Sequence, residues 1–317
     1  MIRQNFNADW TVEKGDGNSR MNSFLGNTQT KTVHLPYDAM IHEARTPDTK
    51  NGAQTGFYPG GEYIFQKHFT APQAWQGKPV SLVFEGVYQT ALVYLNGWLL
   101  TRNVNGYAEF TVEAGPYLKY GADNLLKVIA DNSLEPNSRW YTGSGIYRPV
   151  RLLVGNKVYL PQDTVRITTR EADEGFALLD VTAQVQSAST VTERVTLQQT
   201  ICREGTAVLT DRQNLLLQPG ESRTVSFRYC VDSPALWSPE DPNLYTSTMQ
   251  VLEGEEELDR EETRFGIRTL SIDAAHGVRI NGQTVKLRGA CIHHDNGILG
   301  AATLPDAEER RIRQLKE

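Results

Sequence analysis

The sequence predicts a mainly β protein built from two sandwiches and a third segment of different character. Three observations support this: apolar residues alternate with polar ones over short runs, turn clusters rich in Gly and Pro separate the runs, and Asn-Gly dipeptides stand between neighbouring runs. Successive side chains of a strand point to opposite faces, so alternation indicates strands with one buried face. Asn-Gly readily adopts the positive φ angles of tight hairpins.

The first half of the chain predicts a larger, jelly-roll-like sandwich over residues 1–157. Residues 80–84 (VSLVF), 91–95 (ALVYL) and 125–130 (LLKVIA) are predicted strands, and Asn96-Gly97 follows the second of them as a hairpin turn. Frequent Gly and Pro residues and long polar loops are typical of a sandwich with loops gathered at its ends.

The second predicted domain covers residues 158–268 and has the more regular alternation. Its clearest strand carries Val225, Phe227, Tyr229 and Val231, interleaved with polar residues. Strands of this length, separated this often by turns, predict an antiparallel β-sandwich. Cys230 falls within this strand and is expected to be a buried, unpaired thiol.

Residues 269–317 form the third segment. Asn281-Gly282 predicts a hairpin, a strand is expected to run on to about residue 287, and Pro305 opens a predicted helix with an apolar stripe of Ile312 and Leu315. These elements cannot enclose a core, so the segment is interpreted as the beginning of a further domain. We expect residues after about 285 to be poorly anchored, to pack on the other domains, or to pair with another chain.

Composition and charge exclude several classes of protein. Hydrophobic residues make up 39% of the chain, which argues against a disordered protein, and the formal net charge of −6 makes a nucleic acid partner unexpected. The sequence has no apolar run of the ~20 residues that a membrane helix needs, and no secretory signal at its start, so no membrane partner is expected. A cytoplasmic protein is predicted, or an exported one if a leader was removed.

Several motifs, in this order, resemble the family 2 glycoside hydrolases, which include β-galactosidases, β-glucuronidases and β-mannosidases. The motifs are residues 60–69 (GGEYIFQKHF), 84–97 (FEGVYQTALVYLNG), 139–148 (RWYTGSGIYR), 236–245 (LWSPEDPNLY), 264–268 (RFGIR) and 287–295 (LRGACIHHD). The resemblance implies a sugar-binding jelly roll, an immunoglobulin-like domain, and the truncated start of a (β/α)8 catalytic barrel.

The resemblance also implies a reaction and its limits in this chain. Family members of this bacterial type are retaining enzymes that cleave terminal β-galactosides or related β-glycosides with two glutamates, an acid/base and a nucleophile. Both glutamates lie on later barrel strands of the family. The sequence ends after the first βα unit, so no catalytic residue is assigned and the chain alone is expected to be inactive.

The resemblance assigns two substrate-binding residues, Asp131 and His293, and Trp140 is selected beside them because it lies in the matching signature of residues 139–148. His293 matches a family histidine at the end of the first barrel strand, where an imidazole would contact a sugar hydroxyl. Asp131 matches an aspartate that the sugar-binding domain of some β-galactosidases contributes, and Trp140 would form a pocket wall. From the residues alone, His293-His294-Asp295 could be a polar turn or a metal site, Asp131 an Asx turn, and Trp140 a structural residue.

Two other interpretations stay open at this stage. One is a non-catalytic carbohydrate-binding or adhesion protein of two β-sandwiches, and the other is a structural scaffold that assembles subunits. The predicted partner is a carbohydrate, a β-glycoside, and a homo-oligomer is allowed. No cofactor and no metal site is predicted, although a sodium, magnesium or calcium ion would be compatible with the sequence.

Overall fold

A computed structural model describes residues 1–15, 30–134 and 137–317, and it confirms the mainly β fold class. Contacts divide the chain into two compact units. The first contains residues 2–154 and 291–317, and the second contains Met1 with residues 155–290. These units are defined by contacts between residues and do not test the domain limits given above, which stay predictions. None of the helices in the described part of the chain is long and apolar enough to cross a membrane.

Two antiparallel sheets form the sandwich of the first unit. The strands in chain order are β1 (Ile2–Asn5), β2 (Trp10–Lys14), β3 (Lys31–Val33), β4 (Gly61–Thr70), β5 (Val80–Phe84), β6 (Thr90–Leu95), β7 (Trp98–Asn103), β8 (Phe110–Glu113), β9 (Asp123–Asn132) and β10 (Val150–Val154). One sheet has the order β3-β2-β4-β9-β6-β7, and the other has the order β1-β10-β5-β8.

The core of this sandwich lies between the two sheets. It contains fully buried side chains from both of them, among them Phe65 on β4, Leu82 on β5 and Val128 on β9. The strands predicted at 80–84, 91–95 and 125–130 are confirmed as β5, β6 and β9. The hairpin prediction is also confirmed, because Asn96 and Gly97 join β6 to β7 with φ angles of 52° and 90°.

The second unit contains another antiparallel sandwich. Its strands are β11 (Val158–Tyr159), β12 (Arg166–Ala172), β13 (Phe176–Ser187), β14 (Glu193–Arg203), β15 (Thr206–Leu217), β16 (Ser222–Asp232), β17 (Tyr245–Glu253) and β18 (Glu256–Phe265). In one sheet β13 pairs with β11, β12 and β16, and the other sheet has the order β15-β14-β17-β18.

The alternation along β16 is confirmed, but the expectation for its cysteine is wrong. Val225, Phe227, Tyr229 and Val231 are all buried, so Cys230 lies between two inward-facing residues and points to the exposed side of the sheet. Alternation therefore assigns Cys230 to the outer face.

Residues 269–317 are divided between the two units. A small sheet of β19 (Leu270–Asp273), β20 (Gly277–Ile280) and β21 (Gln283–Thr284) packs with the second unit, and its hairpin turns at Asn281 and Gly282 as predicted. The strand expected to continue to residue 287 ends at Thr284, because β21 pairs with β20 over only two residues.

The predicted helix is confirmed as α1 (Pro305–Lys316), in the first unit. Asp306 and Glu308 lie in its first turn and Arg313 in its last, which suits the helix dipole. Ile312 and Leu315 are 56% and 66% exposed, so the predicted apolar stripe is not buried against other residues. We expected the residues after about 285 to be poorly anchored, to pack on another domain or to pair with another chain. Residues 291–304 pack on the first sandwich, as the hydrogen bonds of His294 and Ala301 show.

Candidate functional site

The loop of residues 139–148 lies between β9 and β10 and positions the candidate site. Gly143 and Gly145 adopt φ angles of 66° and 132°, a region that residues with a Cβ rarely enter. A Cβ on Gly143 would lie 2.5 Å from the Cβ of Ala301 and 2.7 Å from Oδ2 of Asp38. The two glycines are therefore required by backbone conformation, and Gly143 also by the close approach of residues 300–302.

Asp38 is a buried carboxylate, 1% exposed, at the centre of this region. Its Oδ1 accepts hydrogen bonds from the backbone N–H groups of Met40 and Ser144, both at 3.0 Å. Its Oδ2 accepts from the Tyr141 hydroxyl at 2.6 Å and from the Ala301 N–H at 2.8 Å. Four donors satisfy the charge, so Asp38 is a structural anchor that joins the loop 139–148 to residues near 301.

Tyr141 donates to this carboxylate as a neutral phenol. Burial raises the pKa of the Tyr141 hydroxyl far above its usual value, and the nearby charge of Asp38 and their hydrogen bond raise it further. The folded protein therefore favours the protonated, neutral form of Tyr141.

His294 forms a second anchor between the same two segments. Its Nε2 donates a hydrogen bond to the backbone carbonyl of Thr142 at 2.7 Å, since a carbonyl can only accept. The imidazole lies among three tyrosine rings, with centroid distances of 5.0 Å to Tyr147, 5.5 Å to Tyr107 and 6.4 Å to Tyr88. Burial is the main cause that lowers the pKa of His294, so the folded protein favours the neutral imidazole.

His293 points the other way and meets Trp140. The two ring centroids are 4.4 Å apart at an interplanar angle of 69°, an edge-to-face contact. His293 is exposed and Trp140 is 36% exposed, so both rings remain accessible from solvent. The backbone carbonyl of His293 accepts a hydrogen bond at 3.0 Å from Arg311, which fixes the segment from the side of helix α1.

Asp131 lies at the end of β9 in the geometry of an Asx turn. Its Oδ1 accepts hydrogen bonds from the N–H of Ser133 at 2.9 Å and from the Ser133 hydroxyl at 2.5 Å. Oδ2 has no hydrogen-bond partner among the described residues. No ring contact or hydrogen bond in the described ranges joins Asp131 to Trp140 or His293.

The next residue, Asn132, fixes the position of this strand end. Its buried side chain donates to the Gly143 carbonyl at 3.0 Å and accepts from Asn137 at 2.7 Å. The Asn137 side chain in turn accepts from the Tyr88 hydroxyl at 3.2 Å. The end of β9 and the loop 139–148 are therefore tied together through amide groups.

Of the three residues selected from the sequence, the structure brings Trp140 and His293 into contact and places Asp131 in a turn of its own. Their roles in substrate binding stay predictions. Sequence reasoning missed Asp38, because its donors Ser144 and Ala301 lie far along the chain and leave no local pattern. It also missed the role of Asn132, whose partners Asn137 and Gly143 are nearer in sequence but lie in a loop without periodicity. For His294 a signal existed, because two adjacent histidines tend to point in different directions.

The described residues contain no group of three or more His, Cys, Asp and Glu side chains arranged to hold a metal ion. His293 and His294 point to different partners, which argues against their sharing one ion. The chemistry available at the site is recognition: two accessible rings, an imidazole that can donate or accept, and a carboxylate oxygen.

The buried state of His294 predicts a loss of stability in acid. Its folded pKa is lowered while its unfolded pKa is about 6.5, so the unfolded chain binds more protons as pH falls below about 6.5. The contribution is fully present above that pH and declines as the pH approaches the folded pKa. We expect urea unfolding followed by tryptophan fluorescence to show this decline between pH 7.5 and 5.5.

The matched variants isolate this group. In His294→Gln the amide can still donate to Thr142 but does not titrate, so the part of the pH dependence due to His294 is expected to vanish. His276→Gln alters an exposed histidine in the second unit, and this variant is expected to keep the part of the pH dependence that is due to His294. An unchanged pH profile in His294→Gln would contradict the assignment.

Comparison with known protein families agrees with the two sandwiches and their order. Residues 10–176 match the model of the glycosyl hydrolase 2 galactose-binding domain-like family, and residues 158–268 match that of glycosyl hydrolases family 2. The first match alone covers more than half of the chain. The chain therefore belongs to glycosyl hydrolase family 2, as its motifs predicted.

Individual relatives support the assignment over nearly the whole chain. The β-galactosidase BoGH2A of Bacteroides ovatus is 35% identical over 99% of the chain, which covers 37% of that protein. A family 2 member from Bacteroides cellulosilyticus superposes with a TM-score of 0.92 at 32% identity, over 100% of this chain and 42% of the other. The β-glucuronidase of Bacteroides uniformis superposes with a TM-score of 0.88 at 26% identity, over 99% and 38%. The chain thus spans about two fifths of the length of these relatives.

Proposed function

We propose that this chain supplies the non-catalytic wall of a glycoside-binding pocket in a retaining family 2 enzyme that acts on terminal β-galactosides or related β-glycosides. The observation that carries the proposal is the contact of Trp140 with His293. Trp140 belongs to the loop 139–148 and His293 to residues 291–304, and the two were selected separately. Their ring centroids lie 4.4 Å apart, and both rings are exposed to solvent. Family membership and the galactosidase and glucuronidase relatives support the substrate class.

Each group has a role suited to a sugar. The exposed face of Trp140 can cover the apolar C–H face of a pyranose ring, while the imidazole of His293 exchanges hydrogen bonds with a hydroxyl. The unpartnered carboxylate oxygen of Asp131 can accept from a further hydroxyl. The Asp38 and His294 anchors hold the two segments so that the first two groups keep their positions.

We further propose that the 317-residue chain binds the glycoside without cleaving it. Hydrolysis with retention needs two carboxyl groups about 5–5.5 Å apart, one as nucleophile and one as acid/base. The family resemblance matches neither glutamate to a position of this chain. Glu308 lies in the first turn of helix α1, where it complements the helix dipole, and Glu308 and Glu309 each form an ion pair with an arginine of the same helix.

Turnover tests the catalytic half of the proposal. We expect no release of nitrophenol when the purified chain is incubated with nitrophenyl β-galactoside or nitrophenyl β-glucuronide at pH 5–8. Release that follows the concentration of the chain and persists through repeated purification would overturn it.

Ligand-observed NMR with methyl β-galactoside and methyl β-glucuronide tests the binding half. We expect saturable binding of at least one glycoside, and Trp140→Ala and His293→Ala should each weaken it about fivefold to tenfold, as loss of a ring contact or a hydrogen bond does. The matched controls Trp98→Ala and His276→Ala change exposed residues elsewhere and should bind like the parent. Equal weakening by the controls, or no effect of the two site variants, would contradict the assignment.

A further inference from the structure

The first sandwich contains a groove that shares no residue with the candidate site. It has a volume of about 250 Å³ and lies where strand β1 and the C-terminal part of β4 border the open side of the sandwich. Strand β2 pairs with β4 only from Tyr63 to Gln66. Beyond Gln66, the residues Lys67, Phe69 and Thr70 therefore line the groove instead of being covered by β2.

Aromatic side chains form a rigid part of the lining. Phe6 and Phe69 pack edge to face with their centroids 5.0 Å apart, and Trp75 lines the groove from the short helical turn after β4. Phe6 is buried while Phe69 and Trp75 are partly exposed. Such rings offer flat apolar surface that is already held in place by the core.

Polar groups without partners surround these rings. Gln4, Thr70 and Trp75 are among the lining residues, and the side-chain amide, hydroxyl and indole N–H that they carry form no hydrogen bond with a described residue. Asn5 accepts one bond from the N–H of Asn7 and keeps its amide donors free. The lining therefore combines polar residues with aromatic and aliphatic ones around a concavity, a composition suited to a small ligand with both polar and apolar surface.

Lys67 adds a positive charge without a carboxylate partner. Its Nζ donates to the Ala8 carbonyl at 2.6 Å and lies 4.8 Å from the centroid of the Phe6 ring. Lys67 forms no ion pair with any described residue, and no lining residue is acidic. Partial burial lowers the pKa of Lys67, and the more distant Asp9 offsets this in part. An ammonium in this setting gains more from an anion than a fully hydrated one does.

We propose that this groove binds an acidic saccharide, with the carboxylate of a uronic acid residue on Lys67 and its ring against Trp75. The volume is slightly below the ~300–1,000 Å³ of typical ligand sites, which suits one sugar unit with the rest of the oligosaccharide reaching into solvent. The amide and hydroxyl groups of Gln4, Asn5 and Thr70 then bind the ring hydroxyls.

The lining discriminates against other ligand classes. A purely apolar ligand would leave the groups of Gln4, Asn5 and Thr70 without partners, which costs free energy. A metal ion would find no carboxylate, imidazole or thiolate there, since none is among the lining residues. A polyphosphate would bring several negative charges to a single ammonium. A monoanionic sugar matches both the one charge and the mixed surface.

Isothermal titration calorimetry of the 317-residue chain tests the proposal. The probes are trigalacturonate and its neutral counterpart galactotriose, at 50 mM and 500 mM NaCl. We expect trigalacturonate to bind about tenfold more tightly at low salt, with the difference shrinking at high salt, because a charge-assisted hydrogen bond is screened by ions.

Substitutions then assign the contacts. Lys67→Gln is expected to abolish the preference for the acidic sugar while leaving the weaker neutral binding, and Trp75→Ala to weaken both sugars about tenfold. The matched controls are Lys119→Gln and Trp98→Ala, which alter exposed residues outside the groove and should change neither affinity by more than about twofold. Thermal unfolding checks that each variant is folded. Thr70→Val removes one hydroxyl from a lining residue and leaves Lys67 unchanged.

Three results would overturn the proposal: no binding of either sugar, equal affinity for both, or an acidic preference that survives Lys67→Gln. Because the groove and the pair Trp140 and His293 have no residue in common, this outcome is separate from that of the proposed function. Loss of glycoside binding in Trp140→Ala bears on the proposed function alone, and an unchanged affinity for both sugars in Trp75→Ala would overturn the groove.

Discussion

Asp38→Asn is expected to lower the free energy of unfolding of the first sandwich by about 3 kcal/mol. The carboxylate accepts two hydrogen bonds on each oxygen, and asparagine replaces one oxygen by a donor. The Tyr141 hydroxyl can rotate to accept from that donor, but the backbone N–H of Ala301 cannot. A buried N–H would then face an NH2 group, and the segment near Ala301 would lose its anchor.

Thermal unfolding and hydrogen exchange measure this effect. A loss of about 3 kcal/mol in a unit of this size shifts Tm by roughly 6–12 °C. Exchange should rise most in peptides covering residues 291–304, ahead of the strands of the sandwich. Asp48→Asn is the matched control, because Asp48 is exposed and should leave both readouts unchanged. Unaltered exchange at residues 291–304 in Asp38→Asn would show that the anchor contributes nothing.

Gly143→Ala is expected to cost a similar amount, about 3 kcal/mol, for two separate reasons. An alanine at a φ of 66° is strained by roughly 1–2 kcal/mol. Its Cβ would also lie within 2.5 Å of Ala301 and 2.7 Å of Asp38, and overpacking adds roughly 1–3 kcal/mol. Urea unfolding of the variant should show a lower midpoint with an unchanged slope.

Gly77→Ala separates the two causes. Gly77 has a φ of 81° but no atom within 4 Å of the place its Cβ would occupy, so only the backbone strain applies. We expect Gly77→Ala to cost roughly 1–2 kcal/mol. Equal losses in the two variants would mean that crowding against Asp38 and Ala301 is relieved by a small shift, contrary to our expectation.

The sequence predicts local structure well where one physical rule dominates. Alternation located β5 and β16, Asn96-Gly97 and Asn281-Gly282 located two hairpins, and Pro305 located the start of the helix. The rule that identified β16 would also have placed Cys230 correctly on the outer face. These features depend on neighbours within a few residues, so a single sequence contains the information.

The candidate site was less predictable because its contacts are long-range. Asp38 accepts hydrogen bonds from the N–H groups of Ser144 and Ala301, which lie far along the chain. The residues next to Asp38 in sequence form no pattern that predicts a buried carboxylate. The strand expected after Thr284 failed for the same reason, since a strand forms only where a partner is present. The family resemblance supplied Trp140 and His293, which composition and periodicity could not.

The hydrogen bonds that Asp38 accepts have a consequence for the order of events during synthesis on the ribosome. Three of its four donors belong to residues up to Ser144, but the fourth is the N–H of Ala301. About 160 further residues must be translated before that donor emerges, which at ~5–20 residues per second takes roughly 10–30 s. We therefore expect Oδ2 of Asp38 to lack this donor in the nascent chain until residue 301 has been translated, after the residues of the second sandwich.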